Sequence, residues 1–242
     1  MTSELTRALC PLDNQKDTTS NPLPRKSCNV AFFGRRGCGK TTLLLNLLMR
    51  KESPWYKFFD LIFLVSPTAR NDDKMKDLID DIGDQYYETL NNEVLQDIMD
   101  RCEAHTNMLS KKKKKRKGDY CIIYDDCIHM IKSKHANLIN KLATQNRHMG
   151  ISNVYLLQKY NSFMPPLLRS NLDCTAFFRT ENQAELDSFL KEIGTNEDKL
   201  RSIYDYATDE KFSFLFINNY SHPMKFYKRF DQIEWREKKP TE

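Results

Sequence analysis

The chain has 242 residues, 40% hydrophobic and 29% charged, which suffices for one α/β domain with a full core and is too little for two of ordinary size. Its apolar runs, such as those at 43–49 and 61–65, are far shorter than a membrane span, and Met1 to Leu9 has no sustained apolar stretch of the secretory kind, so no membrane partner and an intracellular location are expected. Net charge is +5, yet without the block Lys111 to Lys117 the balance is 31 basic against 33 acidic residues, so the basicity is local and points to one place where a polyanion would be met.

In chain order, residues 1–27 are polar and carry Pro11, Pro22 and Pro24 without helical or strand periodicity; they predict an arm, flexible or draped over a neighbour. From residue 28 to 242 short apolar runs alternate with amphipathic stretches, the pattern of a mostly parallel sheet flanked by helices in a single domain. Strands are expected at Cys28–Phe33, Leu61–Val65, Tyr120–Tyr124, Val154–Leu157 and Cys174–Phe178. Helices are expected at Lys40–Arg50, Asp72–Ile82, Glu93–Leu109, Ala136–Asn146, Gln183–Ile193 and around Lys199–Tyr206. Phe212–Asn218 and Met224–Phe230 then predict a C-terminal antiparallel pair. The seven cysteines are scattered without a C-x-x-C pair, and the five histidines never share a helix face at metal-binding spacing; reduced thiols and no Cys or His metal centre are expected.

The sharpest signal is Gly34-Arg35-Arg36-Gly37-Cys38-Gly39-Lys40-Thr41, which matches G-x-x-x-x-G-K-[ST] between an apolar strand and a leucine-rich helix. Three of the chain's seven glycines stand here, because backbone N–H groups wrap phosphates only where side chains leave the turn open, and the helix N-terminus adds its partial positive charge. The loop with Thr42 is the expected ATP site: Lys40 faces the β and γ phosphates, and the Thr41 hydroxyl ligates Mg²⁺. A GTPase is set aside, since Asn140-Lys141-Leu142-Ala143 lacks the aspartate that would read guanine and Asp80 stands at a helix end.

Cys121-Ile122-Ile123-Tyr124 delivers Asp125 and Asp126 to the C-terminal edge of a strand, where open α/β sheets bind ligands. Asp125 is expected on the hydrated Mg²⁺ and Asp126 on the attacking water. Gln158 ends another apolar strand and could touch the γ-phosphate or that water. Arg147 before this strand and Arg169 after it are both candidates for an arginine finger. The run Lys111, Lys112, Lys113, Lys114, Lys115, Arg116 and Lys117 holds the positive excess and is the expected contact with a DNA backbone, read without sequence preference.

Together the loop, the acid pair, Gln145 to Ser152, the strand ending in Gln158 and Leu167 to Asn171 resemble the viral DNA-packaging ATPases. These are the vaccinia-type enzymes of poxviruses, giant viruses and virophages, within the FtsK/HerA superfamily. The resemblance runs from about Cys28 to Phe178. It implies a P-loop NTPase fold of the ASCE, RecA-like class, with an additional strand, the one ending in Gln158, between those of the P-loop and the acid pair. It implies ATP and Mg²⁺ as cofactors, and a homo-oligomeric ring of five or six subunits that pumps duplex DNA into a preformed capsid through a vertex or portal-like protein, in a virus factory or virion. It implies further that Arg147 acts across the subunit boundary and that Arg36 matches the loop arginine of several packaging motors. Asp126 departs from the family, many members of which carry Glu there. A helicase or remodelling ATPase of the same fold, and a nucleotide-binding capsid component, are the alternative readings.

Overall fold

The computed structural model describes residues 5–8, 22–24, 27–111, 117–127, 136–161, 164–194, 196–221 and 223–235. Alternation along the strands decides the architecture. In β2 (Asn29–Phe33), Val30 and Phe32 join one buried cluster while Ala31 and Phe33 join another; both faces of the strand are covered, as for parallel sheets in α/β proteins. The first cluster is closed by the leucines of α1 (Lys40–Met49), by Leu78 and Ile82 of α2 (Lys76–Ile82) and by Trp55. The second is closed by α3 (Asn92–Lys111), α4 (Ala136–Thr144), α7 (Gln183–Ile193) and α8 (Glu197–Ala207).

The remaining elements are β1 (Leu5–Ala8), β3 (Leu61–Val65), β4 (Tyr86–Tyr87), β5 (Tyr120–Asp125), α5 (Asn146–Met149), β6 (Ile151–Leu157), α6 (Pro166–Ser170), β7 (Cys174–Phe178), β8 (Phe214–Asn218), β9 (Lys225–Lys228) and β10 (Asp231–Trp235). They form one ten-stranded sheet in the order β1-β10-β9-β8-β7-β2-β6-β5-β3-β4. From β7 to β4 every pairing is parallel; from β7 to β1 every pairing is antiparallel. The mostly parallel sheet and the C-terminal antiparallel pair are as expected, and β6 stands between β2 and β5.

Register in the middle of the sheet is set by a buried polar pair. Asn29 opposes Asn153, and the Asn153 amide donates to Asn29 Oδ1 at 2.8 Å, while Asn29 Nδ2 donates to the carbonyls of Ala143 and Asn171. A slip of one residue would bury these amides without partners and turn each apolar set to the wrong face.

Four local readings differ from the sequence expectation. The helix expected from Asp72 begins as a 3₁₀ turn, Asp73–Met75, whose N-terminus the Asp72 carboxylate caps by accepting from Lys74 N, and becomes α-helical only at Lys76. The helix expected over 136–146 breaks after Thr144, and α5 follows as a separate turn ending at Gly150 in the left-handed region. Strands β4 and β10 had no strand signal in the sequence. Within 1–27, expected to lack regular structure, Leu5–Ala8 pairs antiparallel with β10, and the Pro24 carbonyl accepts from Trp55 Nε1 at 3.0 Å; residues 1–4, 9–21 and 25–26 lie outside the described residues.

Candidate active site

The phosphate-binding loop leaves β2 at Gly34, whose N–H donates to the Leu157 carbonyl at the tip of β6 (3.0 Å). A Cβ on Gly34 would stand 2.6 Å from Cys38 Sγ and 2.8 Å from Phe178 Cβ, so only glycine permits this approach of the loop to β7. The loop ends on Gly39, at φ 112, which opens α1 without a side-chain cap and with no acidic residue in the first turn. The first N–H groups of α1 therefore receive no bond from a capping side chain, the condition for an anion site at a helix N-terminus.

Lys40 is buried, and its ammonium donates to the carbonyls of Gly34 (2.6 Å) and Arg35 (3.2 Å). Folded back on the loop, it holds its charge at the loop's centre. Cys38 turns its thiol inward, where burial raises its pKa; Arg35 and Arg36 are exposed. Around this loop opens a cleft of about 1140 Å³ whose walls include Arg36, Lys40, Thr41, Thr42, Asp125, Asp126 and Gln158. The P-loop, both acids and the strand-tip glutamine are thus brought into one site.

Asp125 ends β5 and accepts a hydrogen bond from Ser66 Oγ at 3.1 Å. Burial, then the neighbouring Asp126, pushes its pKa up to about 6. A desolvated carboxylate facing a cleft that also presents the Thr41 hydroxyl is a hard oxygen donor set, the kind that holds Mg²⁺ through one or two protein oxygens with substrate phosphates supplying others; the residues fit the metal. Among the described residues no cluster of three His, Cys, Asp or Glu could hold an ion by itself. Asp126 has φ 50, a left-handed conformation that Asp tolerates better than most, and its Oδ1 accepts from Gln158 Nε2 at 2.9 Å.

Ser66 escaped the sequence reading. Its hydroxyl is fully buried at the end of β3, accepts from Thr68 N and Ala69 N, and donates to Asp125. A lone serine closing an apolar strand beside the acid strand was the available signal. Phe212, Phe230 and Arg229 of the antiparallel region also line the cleft and were missed.

Other candidates lie elsewhere. Arg147, on α5 before β6, is at the edge of the sheet opposite the P-loop. Its guanidinium pairs with Asp173 at 2.9 Å and lies over the Tyr220 ring, with 59% of the side chain exposed. Arg169 is enclosed: 13% exposed, bonded to both Glu192 oxygens and to the Met164 carbonyl. Of the basic block, Lys111 closes α3 and Lys117 Nζ donates to the His148 carbonyl, on the Arg147 edge; Lys112, Lys113, Lys114, Lys115 and Arg116 lie outside the described residues. The six cysteines of the described part are free thiols.

Against known families, residues 15–213 match the poxvirus A32 protein family, most of the chain. The chain belongs to this family. It is an ATPase of the A32 group, in line with the motif resemblance to the vaccinia-type enzymes. No curated protein matches the sequence. Among solved structures the fold is similar to the genome packaging NTPase B204 of Sulfolobus turreted icosahedral virus 2 in complex with ATP-gammaS (TM-score 0.56, 19% identity, 84% of this chain and 98% of that one). It is similar also to B204 of Sulfolobus turreted icosahedral virus, described as a DNA-packaging ATPase (0.55, 21%, 84% and 98%). The pCW3 conjugation coupling protein TcpA shares the fold at 0.58 and 15% identity, over 85% of this chain and 61% of that one. No helix among the described residues is long and apolar enough to cross a membrane.

Proposed function

We propose that this A32-family ATPase is a motor driving duplex viral DNA into a preformed capsid, as a ring of five or six copies docked on a capsid vertex or portal-like protein in an infected cell. The observation that carries the reading is the two-sidedness of the subunit. The ATP cleft is on one edge of the sheet, and an exposed arginine together with one end of the basic block is on the other. Such a surface suits head-to-tail contacts, which form a ring where the rotation between neighbours closes. The two B204 proteins, described as packaging enzymes of viruses, share the fold and support the same reading.

In this reading Lys40 leaves the loop carbonyls for the β and γ phosphates, and Thr41 and Asp125 hold Mg²⁺, which offsets charge on the phosphates when bound. Asp126, braced by Gln158, orients the attacking water. Arg36 faces the phosphates from the loop, and Arg147 from the neighbouring subunit stabilises charge developing on the transferred group. The basic block follows the DNA backbone.

The test is ATP turnover with and without long duplex DNA. Stimulation by duplex supports the motor; stimulation by single strands or RNA alone assigns a helicase or remodelling role, and tight ATP binding without turnover a capsid component.

A further inference from the structure

Four non-glycine residues of the described part have positive φ: Lys57, Asp126, Phe212 and Arg229. All but Lys57 line the ATP cleft. A left-handed backbone is unfavourable for a bulky L side chain and persists where surrounding contacts over-determine it, commonly at ligand clamps. Asp126 belongs to the acid pair. Phe212 (φ 62) and Arg229 (φ 55) belong to neither the P-loop nor the acid pair, so their conformation needs another reason.

The two are locked together by a charged clamp. Lys228, itself buried, donates to Asp209 Oδ1 (2.6 Å) and Glu210 Oε1 (2.8 Å). Arg229 N donates to the Phe214 carbonyl (2.9 Å), and its guanidinium reaches Glu210 (3.4 Å). The clamp fixes the loop before β8 against the turn after β9, and it sets Phe212 over the P-loop. A Cβ on Gly39 would be 3.5 Å from the Phe212 ring. Yet the side chain is not there to fill a core: Phe212 is 54% exposed, the second most exposed of the large hydrophobic residues described. Behind it Phe178, Phe214 and Phe230 continue an aromatic wall, with ring centroids 5.0 and 5.5 Å apart. The Lys211 ammonium lies 4.9 Å from the Phe212 centroid and covers one face of the ring, while the 54% exposure of the residue leaves ring surface for a planar partner.

A nucleotide whose phosphates occupy the loop needs an apolar surface for its base, and the aromatic wall adjoins Gly39. We infer that Phe212, seated by the Lys228 clamp, is the platform on which the base of the bound nucleotide stacks. This rests on the ATPase reading and adds the residue that recognises the base.

Calorimetric titration with Mg²⁺-ATP and with Mg²⁺-tripolyphosphate, which has the phosphates and no base, tests it in the full chain. Phe212→Ala should weaken ATP about tenfold, the usual loss for a stacked base, and leave tripolyphosphate binding as in the wild type. Phe212→Tyr should keep the wild-type affinity for both. Unchanged ATP affinity in Phe212→Ala, or a parallel loss of tripolyphosphate, overturns the assignment. A wild-type chain that binds tripolyphosphate as tightly as ATP overturns it too, whereas a wild-type chain that binds neither sinks the ATPase reading itself.

Discussion

Gln158 Nε2 donates to Asp126 Oδ1 across 2.9 Å, tying the tip of β6 to the tip of β5 at the mouth of the ATP cleft. The two residues proposed to orient water and to sense the γ-phosphate are therefore one unit. Asp126→Asn should keep ATP binding and lower turnover by roughly 10²–10⁴, the range for losing a positioned base. Gln158→Ala should cost about tenfold alone and almost nothing more in the Asp126→Asn background, because residues of one network lose their effect together. Single-turnover hydrolysis of the three variants reads this; full additivity separates the two side chains.

The buried Asp125 carries a cost that pH should reveal. Its folded pKa, about 6, lies above the ordinary carboxylate value. Between about pH 4 and 6 the folded chain keeps a proton that the unfolded chain has lost, so this group's contribution to stability falls as pH rises through that window and stays unfavourable above it. In EDTA and without nucleotide, Asp125→Asn should therefore be more stable than wild type at pH 7.5 by about 1–2 kcal/mol, discounted from the full shift for partial solvent screening. The gap should shrink towards pH 5 in thermal melts; a gap independent of pH assigns the effect to packing.

Arg147 already has an internal partner, so its two possible roles predict different losses. The Asp173 pair is largely exposed on the arginine side, and Asp173 also accepts from Asn29 N; removing the guanidinium should cost at most about 1 kcal/mol of stability. If Arg147 serves a neighbour's phosphates, Arg147→Ala should cost roughly 10³–10⁵ in turnover. Rings mixed from Arg147→Ala and Lys40→Ala subunits contain some interfaces with both groups intact and should regain ATPase that neither variant has. No recovery after exchange is verified by labelling excludes action in trans, and the enclosed Arg169 offers no ready substitute.

Replacing 111–117 with Gly and Ser should leave basal ATPase intact and flatten the salt dependence of duplex binding. If about four of its charges meet phosphates, the block contributes a log-log slope near −3.6. An unchanged slope removes it from the DNA path.

What the sequence disclosed follows the range of the interactions involved. Strands β3 and β7 and helix α7 have the expected bounds, because each is framed by its own apolar period and turn residues. The P-loop, Asp125, Asp126 and Gln158 were legible because each closes or follows such a strand. Strand β4 has two residues, too short for any period, and pairs only because β3 is beside it. The bond from Ser66 to Asp125 spans 59 positions, and Phe212 meets Gly39 from the far end of the chain; contacts made by folding leave no local pattern. The Arg147 pair with Asp173 is of the same kind.

The central position of β2 shapes how the chain can be made. Its partners are distant: Asn29 joins Asn153 across 124 positions and Asp173 across 144. While the polypeptide emerges from the ribosome, the segment Asn-Val-Ala-Phe-Phe waits with both hydrogen-bonding edges bare until β6 and β7 have been synthesised. Such high contact order slows folding and leaves a sticky, unpaired strand exposed in the interval. Production of the protein should accordingly depend on chaperones that shield nascent chains, and fragments ending before β6 should aggregate.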